Sequence, residues 1–101
     1  MKTSSKMPAH HVRDTGFNYT YVIRSLKSGK WYVGATSDLR KRFSEHQANK
    51  SNYTKGKGPY EIIYYEASRN SLDCFAREKY LKSGMGRRYL KSRLKRFLSL
   101  T

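Results

Sequence analysis

At 101 residues the chain is long enough for one domain and hardly for two, since smaller pieces bury too little surface to hold together. Its 22 Lys and Arg against 7 Asp and Glu give a formal net charge of +15, a field that draws polyanions. Nucleic acid is the expected partner rather than a membrane surface, because the basic residues are spread along the chain instead of gathered in one cluster. A lone cysteine, Cys74, excludes an internal disulfide, and no window approaches the ~20 apolar residues needed to cross a bilayer. Residues 1–14 also lack the apolar core of a signal peptide, so a cytoplasmic location is expected. The hydrophobic fraction of 37% is low, but nine tyrosines allow a core to be built largely from rings.

Residues 1–16 are polar, hold Pro8 and the pair His10-His11, and show no periodicity; they are expected to form a flexible leader, with residues 17–101 as the domain. From Phe17 to Ser25, Phe17, Tyr19, Tyr21 and Ile23 alternate with Asn18, Thr20, Val22 and Arg24, the period of a half-buried strand. A second strand is expected from about Lys30 to Thr36, joined through Lys27-Ser28-Gly29 as an antiparallel hairpin. Ser37 or Asp38 caps a helix that ends near Asn49, with Leu39 and Phe43 on its core side. Ser51 to Pro59 reads as a Lys/Gly loop and Glu61 to Ala67 as a third strand. Asn70 caps a second helix through Leu72, Phe75, Ala76, Tyr80 and Leu81, terminated by Gly84 and Gly86. A third helix runs from Arg87 to Leu98 on Leu90, Leu94, Phe97 and Leu98. The order ββαβαα implies a small α/β domain, a mainly antiparallel three-stranded sheet flanked by helices.

Four features suggest a site. Tyr21 and Tyr32 lie on strands that a tight hairpin brings side by side, although both also suit a strand as core rings. Arg42 and His46, four apart, project from one face of the first helix at the margin of its apolar stripe. Glu78 has Cys74, Phe75 and Leu81 as helical neighbours and so leans toward the core, where a carboxylate needs a cation. That cation is either a metal ion or a basic side chain such as Lys82 at i+4. Gly34, inside a strand, marks a close backbone approach or a bend.

Together these residues resemble the GIY-YIG nuclease domain. Tyr19-Thr20-Tyr21 and Tyr32-Val33-Gly34 are ten residues apart, Arg42 follows eight beyond the glycine, His46 comes one turn later, and Glu78 lies on a downstream helix. The likeness spans roughly residues 17–90 and is greatest to the small standalone bacterial members, through the segments from Tyr32 to His46 and from Arg77 to Gly84. The family also includes phage homing endonucleases and a repair subunit that incises beside damaged bases. The sequence departs from the pattern twice: Tyr19-Thr20 replaces Gly-Ile, and no asparagine follows Asn70, whereas many larger members carry one on the last helix.

The resemblance implies a divalent-metal-dependent endonuclease acting on nucleic acid, DNA ahead of RNA, with little sequence specificity or directed by structure. Glu78 would be the single protein ligand of one Mg²⁺ or Mn²⁺ ion, and Arg42 would hold the phosphate. Tyr32, Tyr21 or His46 would take the proton from water; a tyrosine in that role costs roughly 4 kcal/mol to ionise at neutral pH unless its surroundings offset it. Arg40, Lys41, Lys55, Lys57, Lys82, Arg87, Arg88, Lys91 and Lys95 would track the backbone without reading bases. The alternative is a noncatalytic nucleic-acid-binding protein that keeps the basic surface.

Overall fold

Gly29, at φ 78°, reverses the chain after Ser25, and the Ser25 hydroxyl accepts from the Lys27 and Ser28 backbone N–H groups, so the first two strands close tightly. In the computed structural model, which describes residues 16–100, these are β1 (Asn18–Ser25) and β2 (Trp31–Thr36). They are followed by α1 (Leu39–Gln47), β3 (Tyr60–Ser68), α2 (Ser71–Lys82), α3 (Gly84–Arg93) and the short α4 (Lys95–Ser99). The expected leader, with His10 and His11, lies outside the described residues except for Gly16.

The sheet has the order β2-β1-β3, antiparallel throughout, with Tyr21 opposite Gly34 on one side and Tyr65 on the other. As the central strand, β1 is covered on both faces. Tyr21 and Ile23 join Tyr32 and Tyr60 beneath Leu39 and Phe43 of α1. Val22 and Val33 meet Leu81 of α2 and Leu90 of α3 on the opposite face, with Trp31, Ile63, Tyr64 and Tyr80 around them. The expectation of a half-buried first strand is therefore corrected: Thr20 is also buried, and its hydroxyl donates to the Cys74 carbonyl at 3.1 Å.

Capping follows the sequence. The Asp38 side chain accepts from the Lys41 N–H, and Asn70 from the Leu72 N–H. Three other expectations change. On α2 the buried residues are Cys74 and Leu81, while Leu72 and Phe75 are exposed, because the small Cys74 side chain is what fits against Thr20. The third helix breaks at Leu94 into α3 and α4. Nor do the glycines terminate α2: Ser83 does so in an extended conformation, then caps α3 by accepting from the Gly86 N–H. Arg77 locks α2 to β3 by donating from Nε and Nη2 to the two Glu66 oxygens, both at 2.9 Å.

Gly86 lets α3 lie directly on the end of α2. A Cβ there would stand 2.0 Å from the Tyr80 carbonyl oxygen and 2.5 Å from the Leu81 Cα, both backbone atoms that cannot swing aside. In an open helix Gly→Ala gains up to about 1 kcal/mol, so Gly86→Ala tests the contact by the sign of its effect. A loss of about 1–3 kcal/mol in unfolding free energy is expected from denaturant titration. A gain would show that the two helices are not in close contact.

Candidate active site

The β1 ladder places Tyr21 opposite a residue with no side chain, and the Tyr21 ring lies over Gly34 so closely that a Cβ there would be 2.3 Å from its oxygen. Crossing β2 in this way, the Tyr21 hydroxyl reaches His46 Nε2 of α1 at 2.8 Å. His46 is 1% exposed, far deeper than the helix margin its sequence position suggests. Its other ring nitrogen, Nδ1, is 2.6 Å from Oγ1 of Thr54, a fully buried residue of the loop before β3. The Tyr60 hydroxyl donates to the Thr54 carbonyl, tying that loop back to β3.

Arg42, one turn before His46 on α1, donates from Nη1 to Glu45 Oε1 at 3.0 Å and from Nη2 to the buried Ser51 hydroxyl at 3.2 Å. Two of its five N–H groups are thus used to hold the guanidinium in place. Burial raises the Tyr21 hydroxyl above its ordinary pKa of 10; neighbouring Arg42 works against the rise, and the Glu78 charge adds to it. Burial, with Arg42 adding to it, lowers His46 below its ordinary 6.5. At neutral pH both members of the pair are uncharged.

Glu78 belongs to α2, on the opposite face of the sheet, and its carboxylate meets Lys82 Nζ at 3.1 Å. Lys82 Nζ lies 5.8 Å over the ring of Tyr53, which packs edge-on against Tyr32 at 5.1 Å. Contacts thus run from α2 to the tyrosine face of the sheet. Tyr32 shares that face with Tyr21 but is offset along the ladder, opposite Ile23, with Lys30 and Lys57 each 5.8 Å from its ring centre. Lys27, Ser28, Lys30, Tyr32, Gly56 and Lys57 line a cleft of about 340 Å³.

The expected site residues thus fall into an inner and an outer set. Tyr21, Arg42 and His46 converge, with the Glu78 charge acting on Tyr21, while Tyr32 stands beside them among lysines. Among the expected backbone contacts, Arg40, Lys41, Lys55, Lys57, Arg88, Lys91 and Lys95 are exposed, Lys82 is engaged with Glu78, and Arg87 is half-buried with Nε unpartnered. Ser51, Tyr53 and Thr54 were not anticipated. The cue available was a tyrosine inside a Lys/Gly loop; the burial of the serine and threonine leaves no periodic trace. Lys27 and Lys30 of the hairpin were likewise missed. Among the described residues no group of three or more His, Cys, Asp or Glu is placed to hold a metal ion, and no helix is long and apolar enough to cross a membrane.

A three-stranded antiparallel sheet carrying tyrosines on two strands, with an arginine and a histidine on the next helix and a glutamate on a later one, defines a class. Residues 17–96 match the model of the GIY-YIG catalytic domain, and the chain belongs to that family. Within it, the chain is similar to UPF0213 protein CPE1444 of Clostridium perfringens, 35% identical over 66 residues, which are 64% of this chain and 70% of that one. It is also similar to UPF0213 protein YazA of Bacillus subtilis, 34% identical over 70 residues, 68% of this chain and 70% of that one. The solution NMR structure of the UPF0213 protein BH0048 from Bacillus halodurans aligns with a TM-score of 0.48 at 29% identity, covering 75% of this chain and 83% of that one.

The buried neutral histidine has a thermodynamic consequence. Because His46 ionises below 6.5 when folded, the unfolded chain takes up the proton first as pH falls. Its contribution to stability is complete above the unfolded value and is lost as pH drops through the folded one. Denaturation midpoints measured from pH 8 to pH 5 (about the span of histidine titration) should fall toward acid in the parent. The fall should be smaller in His46→Gln. Equal slopes would mean that His46 is not held neutral by burial.

Proposed function

We propose that the protein is an endonuclease hydrolysing phosphodiester bonds in nucleic acid, DNA in preference to RNA, with little sequence specificity or directed by structure. The observation that carries this reading is the convergence, from β1, α1 and α2, of a tyrosine–histidine pair, an arginine and the charge of a carboxylate. Arg42, held by Glu45 and Ser51, has N–H groups left to grip a phosphate and the charge that grows on it during attack. Tyr21 would take the proton of the attacking water while passing its own hydroxyl proton to the neutral His46 ring, to which it is hydrogen-bonded.

Glu78 suits a hard divalent cation: its oxygens are hard donors, and one of them already meets a positive charge, Lys82. One Mg²⁺ or Mn²⁺ ion bound there would stabilise the phosphate charge and the leaving oxygen. The exposed lysines on α1, α3, α4 and the 55–57 loop, together with the cleft of Lys27, Lys30 and Lys57, would carry the flanking backbone. The same Glu78–Lys82 pair also favours a second reading, a noncatalytic nucleic-acid-binding protein in which lysine takes the place of the metal. Nicking assays on duplex, flap, branched and single-stranded DNA and RNA, each with Mg²⁺ or Mn²⁺, separate the two.

On the substrate that is cut, Arg42→Ala should lower turnover about 10²–10³-fold while weakening binding much less, as for other donors aimed at developing charge. An equal loss in both would make Arg42 an ordinary phosphate contact. Glu78→Gln should stop cleavage and leave binding intact, since the cationic surface is untouched; a variant that still cuts removes the metal site from Glu78. With about five phosphates engaged, binding to duplex DNA should weaken with a log–log salt slope of roughly −4 to −5. A slope near zero would mean that the surplus charge does not meet the backbone.

A further inference from the structure

Ser51 and Thr54 are the two ends of a four-residue turn, closed by the Thr54 N–H donating to the Ser51 carbonyl at 3.2 Å. Both ends are buried, and each is tied by its side chain to the site: the Ser51 hydroxyl accepts from Arg42 Nη2, and the Thr54 hydroxyl lies 2.6 Å from His46 Nδ1. The Tyr60 hydroxyl holds the Thr54 carbonyl in turn. The tip of the turn, Asn52 and Tyr53, is exposed. A turn hung in this way on the arginine and the histidine keeps its tip in register with them.

A single exposed ring is ordinary on a protein surface. Tyr53, 50% exposed, differs from such a ring in orientation, place and charge. It packs against the buried Tyr32 with centroids 5.1 Å apart and planes at 89°, so its orientation is set before anything binds. Burial raises the Tyr21 hydroxyl and the Tyr53 phenol adds to the rise, a field effect that requires the two phenols to be near each other. Lys82 Nζ lies 5.8 Å from the Tyr53 ring centre, Lys50, Lys55 and Lys57 are exposed on the same stretch, and no acidic residue occurs from Asn49 to Tyr60. An oriented ring among cations, beside an arginine suited to a phosphate, matches one chemical unit, a nucleotide whose base is unstacked.

We propose that Tyr53 is a stacking platform for an unpaired nucleobase beside the phosphate that Arg42 holds, and that the substrate is therefore a nucleic acid with a single-stranded segment at the site. In a duplex both faces of each base are covered by its neighbours, and a ring projecting from a protein loop finds no face to meet. In a single strand, a flap or a branch the face is open. Every base has such a face, so the contact tolerates any sequence, and the lysines around it grip the backbone without reading bases either. The assignment of substrate rests on the endonuclease reading; the stacking contact does not.

Binding is measured without divalent metal, so that cleavage does not enter. Tyr53→Leu keeps an apolar group against Tyr32 and removes the ring face. It should weaken binding to a single-stranded DNA oligonucleotide about 5- to 100-fold, the worth of one stacked base, and change affinity for a blunt duplex by less than about twofold. The log–log salt slope on the single strand should stay parental, because no cation is removed. Tyr53→Phe should bind like the parent, since stacking uses the ring and not the hydroxyl. A 2-aminopurine base moved along the oligonucleotide should lose emission at one position on binding the parent and keep it on binding Tyr53→Leu. Unchanged single-strand affinity in Tyr53→Leu overturns the proposal. So does an equal loss on duplex, which would make Tyr53 a support for its loop, or an equal loss in Tyr53→Phe, which would assign the contact to the hydroxyl. With metal restored, a parent that cuts nothing removes the endonuclease reading and leaves these affinities to decide the stacking contact.

Discussion

The ring of Tyr21 lies across β2 only because residue 34 has no side chain to stop it, and the inner site is built outward from that contact. From there its hydroxyl reaches into α1, the imidazole it meets reaches into the 51–59 loop, and Tyr60 returns that loop to the sheet. Each of these bonds contributes of order 1 kcal/mol net, too little for the series to dominate stability. What it supplies is position. A methyl group at residue 34 would leave the fold feasible if the tyrosine swung away, but the swing would break the bond to His46.

Building the site in two layers divides its electrostatics. The face beneath α1 holds the tyrosine and histidine, whose ordinary pKa values burial pushes apart: Tyr21 upward and His46 downward. The layer of α2 supplies the negative charge, and its placement depends on Arg77 and Glu66. That pair is two-pronged, and Arg77 holds the Glu66 carboxyl below the usual carboxylate range, so it persists well into acid. The buried histidine is therefore the component of the site exposed to mild acid, while the docking of α2 is not.

Much of this architecture was legible in the chain. Period-two alternation marked β1, Asp38 and Asn70 marked the helix starts, and the spacing of Tyr21, Tyr32, Arg42, His46 and Glu78 pointed to the candidate site. Alternation could not show that β1 is covered twice, because Thr20 and Val22 look the same whether they face water or a second layer. Helix α2 offers two overlapping apolar stripes, and the larger one, with Leu72 and Phe75, is the one left in solvent. The choice depends on the partner across the sheet, which a helical pattern does not contain. Thr54 was hidden for a different reason: a loop has no period, and a threonine among lysines and glycines looks like any solvated turn residue.

The aromatic residues are divided unevenly between the two faces of the sheet. Trp31, the sole tryptophan, packs with Val22, Val33, Leu81 and Leu90 under α2 and α3, whereas Tyr21, Tyr32 and Tyr60 lie under α1, next to the half-exposed Tyr53. The molecule thus carries an optical reporter for one of its halves. Indole emission follows the packing of the helical layer, whereas phenol absorbance, with Tyr64 and Tyr80 in that layer and Tyr21, Tyr32 and Tyr60 in the other, follows both.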